Sequence, residues 1–254
     1  MIANDKLVIR TIQVGVLVAL FGAWYIATRG GGIMKLFLPA PELVWREMGL
    51  LVQSGRLWAS FYVTIVSIAK AYAIAVIAGV AAGFVIARSR ALVQLFEPVL
   101  SGMFAVPLTM FFPLFVLFFG IGPDSKIAYG AVYAFFPIAL NTIAAFSNVD
   151  EIYLRASRAM GASGWQQFRY VYMPAALPVT LTGMRIGFFI CIASVLGGET
   201  LAATAGVGRA TALAAELMET ARLYAWIAFV VCMSVMLNLL ALAAETRSER
   251  EKGA

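Results

Sequence analysis

Long apolar stretches separated by short polar segments fill most of the chain. A helix of about 20 apolar residues crosses the hydrocarbon core of a bilayer. Six stretches come close to or exceed that length, at residues 11–28, 59–87, 92–120, 126–148, 177–203 and 223–244. The pattern therefore predicts an all-α integral membrane protein with about six transmembrane helices.

Glycine and proline positions refine these spans. Gly79 and Gly83 in the second span, and Gly183 and Gly187 in the fifth, have the four-residue spacing that lets two helices approach closely. Prolines are expected to interrupt the third span, because proline removes a backbone donor and disturbs the preceding turn. They are Pro98, Pro107 and Pro113.

The longest polar connection in the first half of the chain covers residues 29–58. The glycines at 30–32 are expected to break the first helix. Residues 42–58 then predict an amphipathic helix at the bilayer surface, where Trp45 and Trp58 would act as interfacial anchors.

A polar segment at residues 150–174 separates the fourth and fifth spans. Its first part predicts a short helix, because apolar residues recur there at positions that share one helical face. These residues are Ile152, Ala156, Ala159 and Met160. The stripe is narrow, and charged residues occupy the other faces.

The second part of this segment predicts a tight turn and another short helix. The first helix is expected to end at Gly161, because glycine enters the left-handed conformation without a Cβ penalty. Ser163 and Gln166 have the spacing of a capping box, which starts the second helix. Pro174 is expected to end that helix, since proline lacks an N–H and restricts the residue before it.

Composition supports a membrane protein and limits its partners. The 254 residues are 62% hydrophobic and 13% charged, whereas about a quarter of a soluble domain is charged. The net charge of +6 comes from dispersed lysines and arginines, which favours a cytoplasmic-loop bias over nucleic-acid binding. Six spans place a modest excess of them on the side of the two termini, and loops rich in lysine and arginine stay in the cytoplasm. The expectation that both termini are cytoplasmic rests on this bias and partly on the family resemblance given below.

We expect no catalytic, cofactor or metal site in this chain. It contains no histidine, which removes the usual general base and most zinc and haem sites. The sequence lacks a P-loop pattern, so ATP hydrolysis would require a partner, and Gly206-Val207-Gly208 lacks the third glycine of a dinucleotide fingerprint. Cys191 and Cys232 lie in apolar runs, where packing is the expected role.

The polar segment also carries a family resemblance. Arg155-Ala156-Ser157, Gly161 and Val171-Tyr172-Met173-Pro174 have the spacing of the cytoplasmic EAA loop in permease subunits of binding-protein-dependent ABC importers, which this chain resembles. That pattern is Glu-Ala-Ala, three residues, Gly, nine residues and Ile-x-Leu-Pro. Arg155 replaces the glutamate and Ser157 the second alanine, so details of the ATPase contact depart from the pattern.

Further segments are similar to one group of these permeases, which serves sulfonates, taurine, nitrate and related small anions. The similar segments are 118–126, 136–142, 177–185 and 198–208. The resemblance implies a type I ABC importer permease-like fold in the bacterial cytoplasmic (inner) membrane. It also implies a small, anionic solute as cargo.

The resemblance further implies a homodimer with two ABC ATPase subunits, which carry the ATP and Mg, and a periplasmic or lipid-anchored substrate-binding protein. The first helix of the polar segment would dock in a groove on the ATPase. The predicted ATPase-coupling residues are Glu151, Arg155, Ala156, Ser157, Arg158, Ala159, Met160, Gly161, Ala162 and Trp165. The alternative for this segment is an amphipathic hairpin that lies on the inner membrane surface.

A translocation path is expected along the third, fourth and fifth spans. Irregular backbone at membrane depth is tolerated where protein or a cavity covers it, and polar groups in spans face the protein interior or a water-filled path. The candidate path residues are Pro107, Phe111, Phe112, Phe115, Asn141 and Glu199. Packing is the alternative for the phenylalanines, and internal pairing or snorkelling for Lys70 and Arg185.

The predicted organisation has three parts. Residues 1–58 hold the first span and a periplasmic amphipathic segment, residues 59–245 form the core permease domain, and residues 246–254 form a cytoplasmic tail. Two other functions stay open from the sequence. One is a self-contained channel or ion-coupled secondary transporter, and the other is a structural membrane subunit of an enzyme complex.

Overall fold

The computed structural model describes the backbone of residues 2–29 and 37–250, and their side chains except at 2–7, 9, 10, 17 and 240–250. The regular structure within these residues is helical. The helices are α1 (Ile2–Arg29), α2 (Pro41–Gln53), α3 (Arg56–Ala87), α4 (Arg90–Ala105), α5 (Phe112–Phe119), α6 (Pro123–Ser147), α7 (Glu151–Ala159), α8 (Gly164–Gln167), α9 (Met173–Leu201), α10 (Val207–Glu216) and α11 (Thr220–Arg250). A 3-10 turn, Leu108–Phe111, precedes α5, and a π-helical turn, Phe168–Tyr172, precedes α9.

Five helical segments of the described residues are long and apolar enough to cross a membrane. They are Thr11–Arg29, Arg56–Ala87, Pro123–Ser147, Gly164–Leu201 and Thr220–Leu239. A sixth consists of Arg90–Ala105 and Leu108–Phe119, which are bent by 78° relative to each other. The prediction of an all-α protein with about six spans is confirmed.

Several predicted boundaries need correction. The helix predicted at 42–58 ends at Gln53, and Trp58 belongs to α3 instead. The chain turns at Gly55, whose φ of 72° breaks the helical path. At the other end of the chain, α11 continues to Arg250, and the cytoplasmic tail predicted at 246–254 stays a prediction. The predicted glycine break at 30–32 lies outside the described residues.

The bend in the third span confirms the expected irregular helix. α4 ends at Ala105, and Pro107 then takes a non-helical conformation with φ −65° and ψ 89°. Pro113 sits in the first turn of α5, where its missing N–H costs nothing. Pro98 lies inside α4, so the expected interruption there was wrong.

The described chain divides into two compact units. The first contains residues 1–59 and 210–232. Within it, the Trp24 indole donates a 3.0 Å hydrogen bond to the Pro39 carbonyl and stacks on Tyr224 at 6.4 Å. Arg222 forms ion pairs with Glu219 and, at 3.2 Å, with Glu47 of α2. These contacts attach α2 and the segment before it to α11.

The second unit contains residues 60–209 and 233–254. Its core is built on the antiparallel pair α6 and α9, packed with α3. A Cβ at Gly187 would lie 2.6 Å from Ile138 Cγ1, and a Cβ at Gly79 would lie 2.8 Å from Ile138 Cγ2. The close helix approach predicted from the paired glycines is therefore confirmed. The buried core residues are Ile68, Ala71, Ala75, Ala131, Ala134, Ile138, Cys191, Ile192 and Val195.

The antiparallel pairing of α6 and α9 gives the second unit two distinct ends. One end holds the start of α6 and the end of α9, with Lys126 near Gly198. The other end holds the end of α6, the start of α9 and the polar segment between them. Candidate functional residues lie at both ends.

Candidate functional site

The polar segment at 150–174 starts with a capped helix. The Asp150 side chain accepts a 2.9 Å hydrogen bond from the Ile152 N–H, which satisfies one free donor at the start of α7. Glu151 then pairs with Arg155 at 2.7 Å, one turn later on the exposed surface. Arg155 occupies the position of the family glutamate, and this local pair occupies its guanidinium.

A Schellman motif ends α7. Gly161 has a φ of 75° and donates a 3.0 Å hydrogen bond to the Arg158 carbonyl, while the Ala162 N–H bonds the Ser157 carbonyl at 3.0 Å. The left-handed conformation is needed to make both bonds. The helix end predicted at Gly161 is therefore present.

The predicted capping box is also present at the start of α8. The Ser163 N–H donates to Gln166 Oε1 at 2.7 Å, and the Gln166 N–H donates to Ser163 Oγ at 3.3 Å. Pro174, however, does not end the helix as predicted. The π-helical turn Phe168–Tyr172 absorbs the bond that proline removes, and the chain continues into α9.

The faces of α7 differ sharply in exposure. Leu154 and Ser157 are buried, and Ser157 Oγ donates a 2.9 Å hydrogen bond to the Leu154 carbonyl. Ser157 replaces the family's second alanine, so this substitution falls on the inward face. The apolar stripe lies on the opposite side and is open, with Ile152 68% and Met160 79% exposed.

The other predicted coupling residues follow the same division. Trp165 at the start of α8 is 71% exposed. Exposed or half-buried positions on the described chain are Glu151, Arg155, Ala156, Arg158, Ala159, Gly161 and Ala162. The hairpin formed by α7 and α8 thus presents an apolar stripe on α7 and an exposed tryptophan on α8, and three local capping motifs fix its backbone. Its role in ATPase docking stays a prediction.

The candidate path residues of the third span separate into buried and exposed positions. Phe112 is buried and lies edge-to-face on Tyr129 at 5.2 Å, and Phe115 contacts the same ring at 5.6 Å. Phe111 is 43% exposed, and Pro107 marks the bend. The contacts of Phe112 and Phe115 fit the packing alternative, whereas Phe111 and Pro107 border an open surface.

Three polar residues of the spans have different surroundings. The Asn141 amide donates a 2.8 Å hydrogen bond to the Pro137 carbonyl, and its side chain packs against Gly183 of α9. Lys70 is exposed on the described chain, and the Arg185 guanidinium lies 6.0 Å from the Phe189 ring centre. These positions fit helix packing for Asn141 and a stacked cation for Arg185.

Glu199 is at the centre of a buried network at the other end of the second unit. Its carboxylate accepts hydrogen bonds from the Thr64 hydroxyl at 2.8 and 2.9 Å and from the Gly208 N–H at 2.9 Å. The Thr64 oxygen accepts a 2.9 Å bond from the Val207 N–H. Glu199 and Thr64 therefore each accept a bond from a backbone N–H at the start of α10, and the network joins α3, α9 and the loop at 202–206.

The loop around this carboxylate is shaped to fit it. A Cβ on Gly206 would overlap the Glu199 carboxyl group, and a Cβ on Gly208 would lie 2.6 Å from Glu199 Cβ. Close packing against Glu199 therefore explains both glycines of the Gly206-Val207-Gly208 segment. Contact with a nucleotide phosphate is not needed to explain them.

Lys126 lies near this network and is itself buried. Its ammonium group donates hydrogen bonds to the carbonyls of Ile121 and Gly122, the latter at 2.9 Å, and to Ser125 Oγ at 3.1 Å. Sequence reasoning missed Thr64 and gave Lys126 no role. The available signal for Lys126 was its charge at the start of a predicted span, because charged residues in spans face the protein interior, whereas Thr64 carries no signal in its apolar helix.

Comparison with known proteins places the whole arrangement in a family. A family model described as "Binding-protein-dependent transport system inner membrane component" matches residues 75–252. The taurine transport system permease protein TauC of Escherichia coli (strain K12) is 30% identical over 234 residues, covering 90% of this chain and 85% of that protein. The riboflavin transport system permease protein RibX of Chloroflexus aurantiacus is 30% identical over 218 residues, covering 86% and 81%.

Two further similarities agree with this assignment. The putative aliphatic sulfonates transport permease protein SsuC of Bacillus subtilis is 28% identical over 204 residues, covering 80% of this chain and 74% of that protein. A chain of the inward-facing MetNI methionine ABC transporter shares the fold, with a TM-score of 0.57 and 23% identity, covering 84% of this chain and 98% of that chain. The protein therefore belongs to the family of binding-protein-dependent transport system inner membrane components, the multi-pass membrane permeases of ABC transporters.

Proposed function

We propose that this chain is the permease subunit of an ABC importer that couples solute passage to ATP hydrolysis by a separate ATPase. Two copies would form the path at their interface, and two ATPase subunits would dock on α7 and the turn after it. The observation that carries this proposal is the apolar stripe of α7. Exposed apolar side chains on a rigid polar hairpin are suited to burial against a partner protein.

Docking of a cytoplasmic ATPase on the hairpin would also set the orientation of the chain in the membrane. Residues 150–174 would lie in the cytoplasm, and so would both termini, because four spans precede this segment and two follow it. The opposite end of the second unit, with Lys126 and Glu199, would then face the periplasm. A substrate-binding protein would approach that side.

We propose a small organosulfonate or a related small anion as the cargo. The relatives named for taurine and aliphatic sulfonates support this class of solute. The relative named for riboflavin is a similar permease that is named for a different kind of solute. The binding protein would supply most of the specificity, so direct uptake measurements decide the cargo.

Uptake should depend on the ATPase. We expect vesicles containing this chain with its proposed ATPase and binding-protein partners to accumulate radiolabelled taurine or an alkanesulfonate only with ATP and Mg. Vesicles with the chain alone should show no uptake above protein-free vesicles. Solute movement by the chain alone would instead favour a self-contained channel or ion-coupled transporter.

Met160 provides a direct test of the docking surface. Because this side chain is 79% exposed, Met160→Asp should leave the chain folded while placing a charge in the proposed interface. Central apolar contacts in interfaces are often worth about 2 kcal/mol or more, so ATPase affinity should fall about thirtyfold in a titrated pull-down. Met160→Leu keeps the apolar volume and should bind normally. Equal affinity of Met160→Asp and the wild type would contradict docking on this stripe.

A further inference from the structure

A cleft of about 620 Å³ opens in the second unit beside the polar hairpin. Ala87 at the end of α3 and Ser147 at the end of α6 both line it. Both helices are long and apolar enough to cross the membrane. The cleft therefore lies at one end of two helices that can span the bilayer, the end that is nearest to lipid headgroups when they do so.

Two arginines give the cleft a positive charge. Arg88 and Arg90 both line it and are exposed. Within the described part of the chain, neither guanidinium has a carboxylate partner, and that of Arg88 lies 5.2 Å from the Phe84 ring centre. Glu151 also lines the cleft, but it pairs with Arg155 at 2.7 Å. The two arginines therefore remain available to an anionic group.

Aromatic rings supply an apolar wall in the same cleft. Phe84 packs edge-to-face on Phe146 at 5.1 Å and on Phe168 at 5.5 Å. All three line the opening, together with Val93 and Leu154. A small soluble anion would leave this apolar surface in water, whereas an amphiphile would cover it.

We propose that this cleft binds an anionic phospholipid, with its phosphate at Arg88 and Arg90 and an acyl chain along the phenylalanine cluster. Basic pockets at helix ends on the membrane surface suit such headgroups. The pair of guanidinium groups favours an anionic lipid over a zwitterionic one, because the latter adds a cation next to the phosphate. A lipid in this position would also contact Leu154 and Gly164 of the hairpin. Lipid binding in the cleft would therefore help to hold α7 in place.

The test uses the full-length chain, solubilised with its co-purifying subunits and stripped of lipid. Phosphatidylglycerol and phosphatidylcholine are titrated in turn, and bound lipid is counted by native mass spectrometry. Each basic residue near a surface is worth roughly fivefold in binding an anionic lipid. The double variant R88Q/R90Q should therefore bind phosphatidylglycerol about thirtyfold more weakly, with little change for phosphatidylcholine.

Three controls keep the outcome specific. R46Q/R56Q removes the same charge from two exposed residues that do not line the cleft, and it should bind phosphatidylglycerol normally. R88K/R90K keeps the charge and should retain most of the affinity, even if R88Q/R90Q folds poorly. Glycerol 3-phosphate carries the headgroup chemistry without acyl chains, and it should not displace the lipid at equal concentration.

Each contrary outcome overturns the proposal in a different way. Equal phosphatidylglycerol binding by the wild type, R88Q/R90Q and R88K/R90K would place the lipid elsewhere. Displacement of phosphatidylglycerol by glycerol 3-phosphate at equal concentration would identify a soluble-anion site instead. Loss of dimers in R88Q/R90Q without loss of lipid would assign the cleft to a second copy of the chain.

Discussion

Replacing Gly161 with valine is expected to reduce ATP-driven uptake at least tenfold. Gly161 has a φ of 75°, a conformation that costs an ordinary L-residue about 1–2 kcal/mol and a β-branched one more. Valine would be expected to move to a negative φ and break the bonds to the Arg158 and Ser157 carbonyls. The turn would then present α8 and Trp165 in a different direction from α7. Uptake by vesicles with the complete transporter would measure the loss.

Gly161→Asn is the matched control for this change. Asparagine tolerates the left-handed conformation better than other non-glycine residues, and a Cβ at this position has nothing within 4 Å. We therefore expect Gly161→Asn to keep most of the uptake, and both variants to insert in the membrane at wild-type levels. Full uptake by Gly161→Val would mean that the geometry of the hairpin does not transmit the action of the ATPase.

Glu199→Leu should be the most destabilising single change that we propose. It removes the acceptor for the Thr64 hydroxyl and the Gly208 N–H, both of which are buried. A buried donor left without its acceptor costs about 1–3 kcal/mol, and this change leaves two such donors. Thermal unfolding in detergent, monitored by size-exclusion chromatography, should show a large drop in the midpoint, the temperature at which half of the protein is unfolded.

Two variants separate the network from a general effect of mutation. Gly206→Ala should also destabilise, because its Cβ would overlap the Glu199 carboxyl group. Glu97→Gln, in an exposed carboxylate of α4, should leave the midpoint unchanged. If Glu199→Leu unfolds at the wild-type temperature, the network does not hold the loop at 202–206 in place.

The placement of Glu199 bears on the two roles considered for it. Its carboxylate accepts hydrogen bonds within the chain, and the residue is 2% exposed. These contacts fit internal pairing, so we propose that Glu199 holds helices and a loop together at the end of the second unit opposite the hairpin. Its role along the translocation path stays a prediction.

Sequence and structure agree most closely where short-range physics decides. Apolar length alone gives the membrane spans, because hydrocarbon demands a helix with all its backbone groups paired. The turn at Gly161 and the capping box at Ser163 follow from neighbours within a few residues, so local rules found both. The family resemblance depended on the same local spacing.

Local rules failed where the residues near a boundary are compatible with more than one backbone conformation. At Pro174 a helix end and a π-helical turn both accommodate the missing N–H, and continuity with a membrane-spanning helix favours the second. The prediction of one helix at 42–58 missed the break at Gly55, because the apolar residues on both sides of it follow a helical spacing. Both errors concern a boundary and leave the class of element unchanged.

The helical spans, the capped hairpin and the family of this protein could be predicted from the amino-acid sequence, since each depends on residues close together in the chain. The network of Thr64, Glu199 and Gly208 became visible in the folded chain alone, because a sequence separation of 135 residues lies between the first two. The tertiary structure also brought Arg88 and Arg90 together with Phe146 and Phe168 around one cleft. Such partners are selected by helix packing, because an antiparallel pair in close contact aligns residues that local periodicity treats as unrelated.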